Sequence, residues 1–178
     1  MKKLLLLFAL SLFASSTFAG HVIGGDITWV KTVNGQFIIE LKVYRECGNG
    51  AAGIGTFQNV AGPNGGINVS LVSQEDISPI CSGAGQVSCG SSSMGMGAVE
   101  MMTYRSSAIT LPGTPPAAGW DFTWSICCFP NTVVNMSGSS ASAYAKSTMY
   151  SGVSASSPYF VVSPNQVLTN QTQPLLIS

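Results

Sequence analysis

Apolar and polar residues alternate with a period of two through most of the chain after residue 20. A half-buried β-strand requires such alternation, because successive side chains point to opposite faces of a sheet. Loops rich in Gly, Ser and Pro separate the alternating segments, which are 26–33, 36–45, 67–73, 98–111, 119–128 and 142–150. Several short strands joined by turns predict an all-β fold, either an open barrel or, as we expect here, an antiparallel β-sandwich, Ig-like or similar.

The first two segments flank Asn34-Gly35, a dipeptide typical of two-residue hairpin turns, whose residues must both tolerate positive φ. A two-residue loop would place Val30 opposite Ile39 on the core face. Trp29 would then lie on the polar face together with Tyr44. This register predicts either that another strand or domain covers Trp29, or that Trp29 and Tyr44 form an aromatic surface for ligand stacking.

Two further stretches of sequence lead to predictions about the core. Trp120, Phe122 and Trp124 alternate with polar residues, so they share one face and are expected to pack in the core. The Gly-rich segment 48–66 is interpreted as a loop. Its start matches the pattern G-x-G-x-x-G of dinucleotide sites, but no helix would tolerate the glycines and the proline that follow.

The first nineteen residues have the three parts of a secretory signal peptide. Lys2 and Lys3 form a positive start, residues 4–13 are apolar, and Thr17-Phe18-Ala19 matches a small-residue cleavage site. The apolar stretch is shorter than the ~20 residues that a membrane-spanning helix needs. We therefore expect a signal peptide over 1–19, no membrane span, and a protein that is secreted or held at the cell surface.

The rest of the chain is expected to form one β-sandwich domain over residues 20–150. Residues 151–178 are rich in Ser with spaced prolines, which predicts a linker that leads into a further β domain. Without Lys2 and Lys3, five basic residues stand against seven acidic ones. This balance leaves no basic patch for a phosphate backbone, so nucleic acid is excluded as a partner.

The five cysteines are expected to form disulfides in an oxidising compartment. Strand phase places Cys128 on the core side of 119–128 and Cys127 on the outer side, while Cys47 continues the core phase of 36–45. These positions predict a Cys47–Cys128 bridge and a Cys81–Cys89 bridge around a Gly- and Ser-rich loop. Cys127 is then the unpaired candidate, and a strand that ends one residue earlier would exchange its role with that of Cys128.

The sequence offers little for catalysis. The single histidine, His21, lies next to the expected mature N-terminus, where chain ends fray and a catalytic base would be poorly held. The cysteines lack the C-x2-C spacing of zinc sites. Glu75 and Asp76 are adjacent in a predicted loop and do not form an opposed carboxylate pair. We therefore expect no catalytic residues, no metal and no cofactor.

Four segments resemble, in order, the N-terminal region of large secreted surface proteins of Bacteroidetes. They are HVIGGDITW (21–29), LKVYRECGN (41–49), MMTYRSSAITLP (101–112) and WSICCFPN (124–131). In that family a start like HIVGGEITY precedes LxxYRDC, TYRTTVTLP and a vicinal-cysteine CCRN motif. This sequence differs in having Glu46 for Asp and Phe129 for Arg, and it lacks a further cysteine near 163–171.

The resemblance implies a β-rich adhesin-type module without known catalytic residues. Such proteins commonly continue into Ig-like or PKD-like repeats and a gliding-motility-associated sorting domain. We expect a non-enzymatic structural or adhesion module whose partners are other surface proteins, further domains of the same protein, or glycans. The alternative is a carbohydrate-binding module that uses exposed aromatic residues, with Trp29 and Tyr44 as the candidates.

Overall fold

The structure, a computed structural model, describes residues 21–48, 53–78, 87–89, 97–127, 129, 142–152 and 156–158. Within these ranges all regular elements are β-strands, and every strand pair is antiparallel. The predicted all-β, antiparallel class is therefore confirmed. No helix in this part of the chain is long and apolar enough to cross a membrane. The predicted signal peptide and most of the predicted linker lie outside the described residues.

Seven strands follow one another: β1 (Val22–Lys31), β2 (Phe37–Glu46), β3 (Phe57–Gly62), β4 (Gly65–Asp76), β5 (Val99–Arg105), β6 (Trp120–Cys127) and β7 (Ser142–Met149). They form one sheet in the order β1-β2-β5-β4-β3-β6-β7. The sheet curls so far that β7 at one edge contacts β1 at the other, which gives a nearly closed, barrel-like shape. The two separate sheets predicted for a sandwich are not confirmed.

Strand β3 lies within the Gly-rich segment that the sequence analysis interpreted as a loop, so that interpretation is wrong for residues 57–62. The strand pairs along its whole length with β4 and buries Val60 completely, while Phe57, Asn59 and Ala61 are exposed. Alternation is therefore present, but it covers only six residues between glycines. Tertiary pairing decides such short strands, because propensity alone is weak.

The first hairpin turns through a three-residue loop. The N–H of Thr32 donates to the carbonyl of Gln36 at 2.8 Å, and the N–H of Gly35 donates to the carbonyl of Thr32 at 3.0 Å. Gly35 has a φ of 78°, whereas Asn34 does not take a positive φ. A tight turn followed by a left-handed Gly is the usual three-residue hairpin connection, in contrast to the predicted two-residue turn, which needs positive φ at both residues.

The extra loop residue shifts the strand register by one position, so the predicted pairing of Val30 with Ile39 is wrong. Trp29 faces Ile39 and is only 4% exposed, whereas Val30 is 52% exposed. A one-residue slip exchanges the two faces of a strand because side chains alternate. The ring of Trp29 packs against Phe122 of β6, with 5.7 Å between the ring centroids.

The interior of the curled sheet is filled by side chains from all seven strands. As predicted, Phe122 and Trp124 of β6 are buried, and Trp120 packs against the core. Trp124 donates from its indole Nε1 to the side-chain oxygen of Gln58 at 3.1 Å. The indole Nε1 of Trp29, in contrast, is buried and has no hydrogen-bond partner among the described residues, so burial of this ring outweighs the cost of one unpaired donor.

A short segment after β7, which includes Ser156 and Ser157, forms hydrogen bonds with backbone groups at the outer edge of β1. The backbone N–H of Trp29 donates to the hydroxyl of Ser157 at 2.9 Å, and the N–H of Ser157 donates to the carbonyl of Trp29 at 2.9 Å. The N–H of Lys31 donates to the hydroxyl of Ser156 at 3.2 Å. These bonds cover part of an edge that would otherwise present unpaired groups, and they hold the end of β1 in place.

Candidate functional site

A cleft of about 350 Å³ lies at one end of the curled sheet. It lies where β1 ends, β2 begins and β6 begins, which is the end opposite to Cys47. Five of its lining residues are apolar, three are glycines, two are threonines and one is a lysine. The lining residues are Phe37, Leu111, Pro115, Trp120, Met149, Gly35, Gly113, Gly152, Thr110, Thr114 and Lys31.

Backbone pairing holds the loop after β5 against the first hairpin. Phe37 and Ile109 exchange two backbone hydrogen bonds, each 2.8 Å long. The carbonyl of Thr110 also accepts a bond from the side-chain amide of Asn64 at 3.3 Å. On the other side of the cleft, Trp120 and Met149 are cross-strand partners on β6 and β7. The walls of the cleft therefore rest on four strands, β1, β2, β6 and β7, and on a loop that is fixed at two points.

Lys31 supplies the only charge of the described cleft lining. Its ammonium nitrogen lies 5.9 Å from the centroid of the Phe37 ring, within the range of a cation–π interaction. The other described lysines and arginines all form ion pairs: Lys42 and Arg105 with Glu40, Arg45 with Glu100, and Lys146 with Asp121. Among the described basic residues, Lys31 is thus the one without a carboxylate partner.

A buried polar cluster lies towards the opposite end of the sheet. Arg45 of β2 pairs with Glu100 of β5, and both side chains are buried. The amide of Gln74 donates to the second carboxylate oxygen of Glu100 at 2.6 Å. The hydroxyl of Tyr104 donates to the carbonyl of Gly55 at 3.0 Å. Burial raises the pKa of Tyr104 to about 12, so this phenol stays neutral and acts as a structural donor.

The same end holds a disulfide between Cys47 and Cys89, with a Cα–Cα distance of 5.2 Å. The carboxylate of Asp76 accepts a hydrogen bond of 2.7 Å from the N–H of Cys89 and two bonds from Ser78. Burial raises the pKa of Asp76, but these bonds outweigh it and leave the pKa below its usual value. Asp76, which the sequence placed in a loop, therefore ends β4 and helps to fix the segment that carries Cys89.

One group of side chains at this end has ligand atoms close enough together to hold a metal. The sulfurs of Cys47 and Cys89 and a carboxylate oxygen of Glu100 lie within 4.8 Å of one another. However, the two sulfurs are bonded to each other, and Glu100 already accepts bonds from Arg45 and Gln74. A disulfide offers no thiolate to a metal, and the charge of Glu100 is already paired with Arg45, so these contacts are structural.

The predicted cysteine pairing is wrong. Cys47 is bonded to Cys89, which excludes both the Cys47–Cys128 bridge and the Cys81–Cys89 bridge. Cys127, predicted to be unpaired, is disulfide-bonded. Its partner lies outside the described residues, as do Cys81 and Cys128. Strand phase failed here because Cys89 belongs to the stretch between β4 and β5, where period-two arguments do not apply.

The predicted aromatic surface is also not assembled. Trp29 is buried in the core and packs on Phe122, so neither ring face is open to a sugar. Tyr44 lies on the opposite side of the sheet, where its hydroxyl donates to the carboxylate of Asp26 at 3.0 Å. Burial raises the pKa of Asp26 above its usual value, although this bond lowers it. The one-residue register shift separates Trp29 from Tyr44.

Comparison with known proteins adds no relative. No protein-family model, curated protein or solved structure matches this chain. The candidate site therefore rests on geometry alone.

Sequence reasoning missed the cleft because its lining comes from four distant parts of the chain. Two signals nevertheless stand in the sequence. Phe37 directly follows the hairpin turn, and Trp120 directly follows the Pro- and Gly-rich segment 112–119. An aromatic residue that opens a strand after a turn or a loop lies at the end of a sheet, where the interior is accessible.

Proposed function

We propose that this chain is a non-enzymatic extracellular module of a bacterial surface or adhesion protein, and that it binds through the cleft between Phe37 and Trp120. The composition of the cleft carries this proposal. Among its described lining residues only Lys31 can ionise, whereas general acid–base catalysis needs a donor and an acceptor within hydrogen-bond reach. Apolar walls with few polar groups are typical of binding sites.

The disulfide chemistry supports the extracellular part of the proposal. Cys47 and Cys89 are bonded, and Cys127 is also in a disulfide. Disulfides persist in oxidising compartments and are rare where glutathione keeps thiols reduced. A signal peptide over residues 1–19 and the resemblance to Bacteroidetes surface proteins belong to the same proposal.

A two-layer description of the fold is part of the proposal as well. Strands β3 and β6 are joined only at the pair Ala61 and Thr123, so the curled sheet is nearly divided there. The ring contact between Trp29 and Phe122 bridges the two sides, as facing layers of an Ig-like sandwich would.

Surface exposure and adhesion test this function. A tagged chain is expressed in a bacterium of the proposed group, and intact cells are probed by external protease and by antibody. We expect the tag to be accessible from outside and at most one of the five cysteines to be alkylated without reduction. Adhesion to host or neighbouring cells should fall when the chain is deleted. An intracellular chain with free thiols, or turnover of a substrate that depends on one side chain, would refute the proposal.

A further inference from the structure

We propose that the cleft binds a small organic carboxylate with an aromatic or branched apolar body, whose carboxylate pairs with Lys31. This inference names a ligand class for the binding function proposed above and rests on that function. It begins from the place of the cleft in the fold. The cleft forms the accessible end of the sheet interior, and such openings are common sites for small ligands.

The walls fit an apolar ligand body. Phe37 and Trp120 are both partly buried, so each ring is held by packing and still contributes surface to the cleft. Leu111 and Met149 are buried core residues that reach the same space. A volume of about 350 Å³ lies at the lower end of the range for small-molecule sites, so a body of one or two rings would fill it.

The single positive charge at the cleft favours a ligand with one negative charge. Among the described residues Lys31 has no carboxylate partner, whereas each of the other four described lysines and arginines has one. Its backbone is fixed by Ser156, and its ammonium lies near the Phe37 ring. A cation beside apolar surface attracts an anion more strongly than a cation in open water. The ligand would therefore supply the carboxylate that the protein does not.

Two other ligand classes fit less well. A neutral sugar needs several polar side chains for its hydroxyl groups, but only Thr110 and Thr114 offer hydroxyls among the described lining residues. Phosphate sites commonly combine an arginine fork, or a lysine, with free backbone N–H groups, and Lys31 is the one cation among the described lining residues. The N–H of Gly113 is already bonded to the carbonyl of Leu111, so this backbone donor is not open to phosphate.

Calorimetric titration of the full chain with indole-3-acetate and phenylacetate tests the inference, with the neutral amide phenylacetamide as a matched probe. We expect saturable binding of both acids and binding of the amide that is weaker by about tenfold or more, since a charge-assisted hydrogen bond is lost. Lys31→Met should weaken binding of the acids by a similar factor and leave binding of the amide unchanged. Lys146→Met removes a lysine that is paired on β7 and should leave both affinities unchanged.

Several results would overturn the inference. Absence of binding, equal affinity for acid and amide, or acid binding that survives Lys31→Met would each do so. A neutral glycan whose binding is lost with Trp120→Ala, but not with Lys31→Met, would assign the cleft to sugar instead.

Thermal denaturation of each variant verifies folding. Lys31 is exposed, so its replacement leaves the core intact. Surface exposure and adhesion of the chain are measured separately, so the proposed function can stand when the carboxylate inference fails.

Discussion

Arg45 on β2 and Glu100 on β5 are direct cross-strand partners, and their side chains form an ion pair inside the folded protein. Both residues are buried, at 8% and 3% exposure. The amide of Gln74 completes the coordination of the Glu100 carboxylate. Buried charges are tolerated only when paired and hydrogen-bonded, so these three residues depend on one another.

Replacement of one partner should therefore be costly. We expect Arg45→Met to lower the free energy of unfolding by about 3–5 kcal/mol, because Glu100 is left as an uncompensated buried charge. Urea denaturation followed by tryptophan fluorescence measures the loss. The double variant Arg45→Met, Glu100→Leu should recover much of it, since a buried ion pair can be replaced by apolar packing.

A surface ion pair provides the matched control. Arg105 donates to Glu40 at 2.6 Å, and the Arg105 side chain is 57% exposed. Arg105→Met should change the free energy of unfolding by at most about 1 kcal/mol, since exposed ion pairs contribute little. Equal losses for Arg45→Met and Arg105→Met would mean that Arg45 and Glu100 are not a buried pair.

The disulfide between Cys47 and Cys89 closes a sequence separation of 42 residues. Loop entropy predicts a stabilisation of about 4 kcal/mol for this length. The double variant Cys47→Ala, Cys89→Ala should be destabilised by this order, as measured by urea denaturation without reductant. Non-reducing peptide mapping of the wild-type chain should recover the peptide of Cys47 linked to that of Cys89. A link from Cys47 to any other cysteine would contradict the structure.

Two adjacent glycines of β1 should respond differently to the same replacement. A Cβ at Gly25 would lie 2.8 Å from the backbone oxygen of Lys42 and 3.4 Å from the ring of Trp124. A Cβ at Gly24 would meet nothing within 4 Å. We expect Gly25→Ala to lower the free energy of unfolding by about 1–3 kcal/mol through overpacking. Gly24→Ala should be neutral or slightly stabilising, and the reverse order would refute the close approach of Gly25 to β2 and β6.

The raised pKa of Tyr104 leads us to expect a loss of stability at high pH. Its pKa is raised from 10.0 in the unfolded chain to about 12 in the folded protein. The raised value means that the folded state retains a proton that the unfolded state releases. Stability is therefore fully present below pH 10 and falls as pH rises to about 12, by at most about 1.4 kcal/mol per pH unit.

Ultraviolet titration of the phenolates tests this assignment. Tyr104 should ionise near pH 12, above the usual value of 10.0 for its pKa, and Tyr104→Phe should remove this alkaline step from the titration curve. The variant should also lose stability near neutral pH, because the carbonyl of Gly55 loses its donor. A titration curve that is unchanged at its alkaline end would show that Tyr104 is not the shifted phenol.

Local pattern determined the class of the fold and the inner face of several strands. Period-two alternation predicted β2 and β6 with their buried residues, among them Leu41, Val43, Phe122 and Trp124. It did so because the side-chain period of a strand depends only on the strand itself. Even the misassigned β3 contains Val60 in the correct phase for burial.

Tertiary structure decided the relations between segments. The hairpin loop has three residues and not two, and this one extra residue decides that Trp29 and not Val30 faces the core. Burial of the larger ring favours the observed register. The partner of Cys47 depended on where the stretch between β4 and β5 returns to the sheet, which no periodicity encodes. The cleft arose only when the sheet curled and brought Phe37, Trp120 and Lys31 to one opening. Alternation is a short-range property of the sequence, whereas register, disulfide pairing and sheet closure depend on contacts between distant residues.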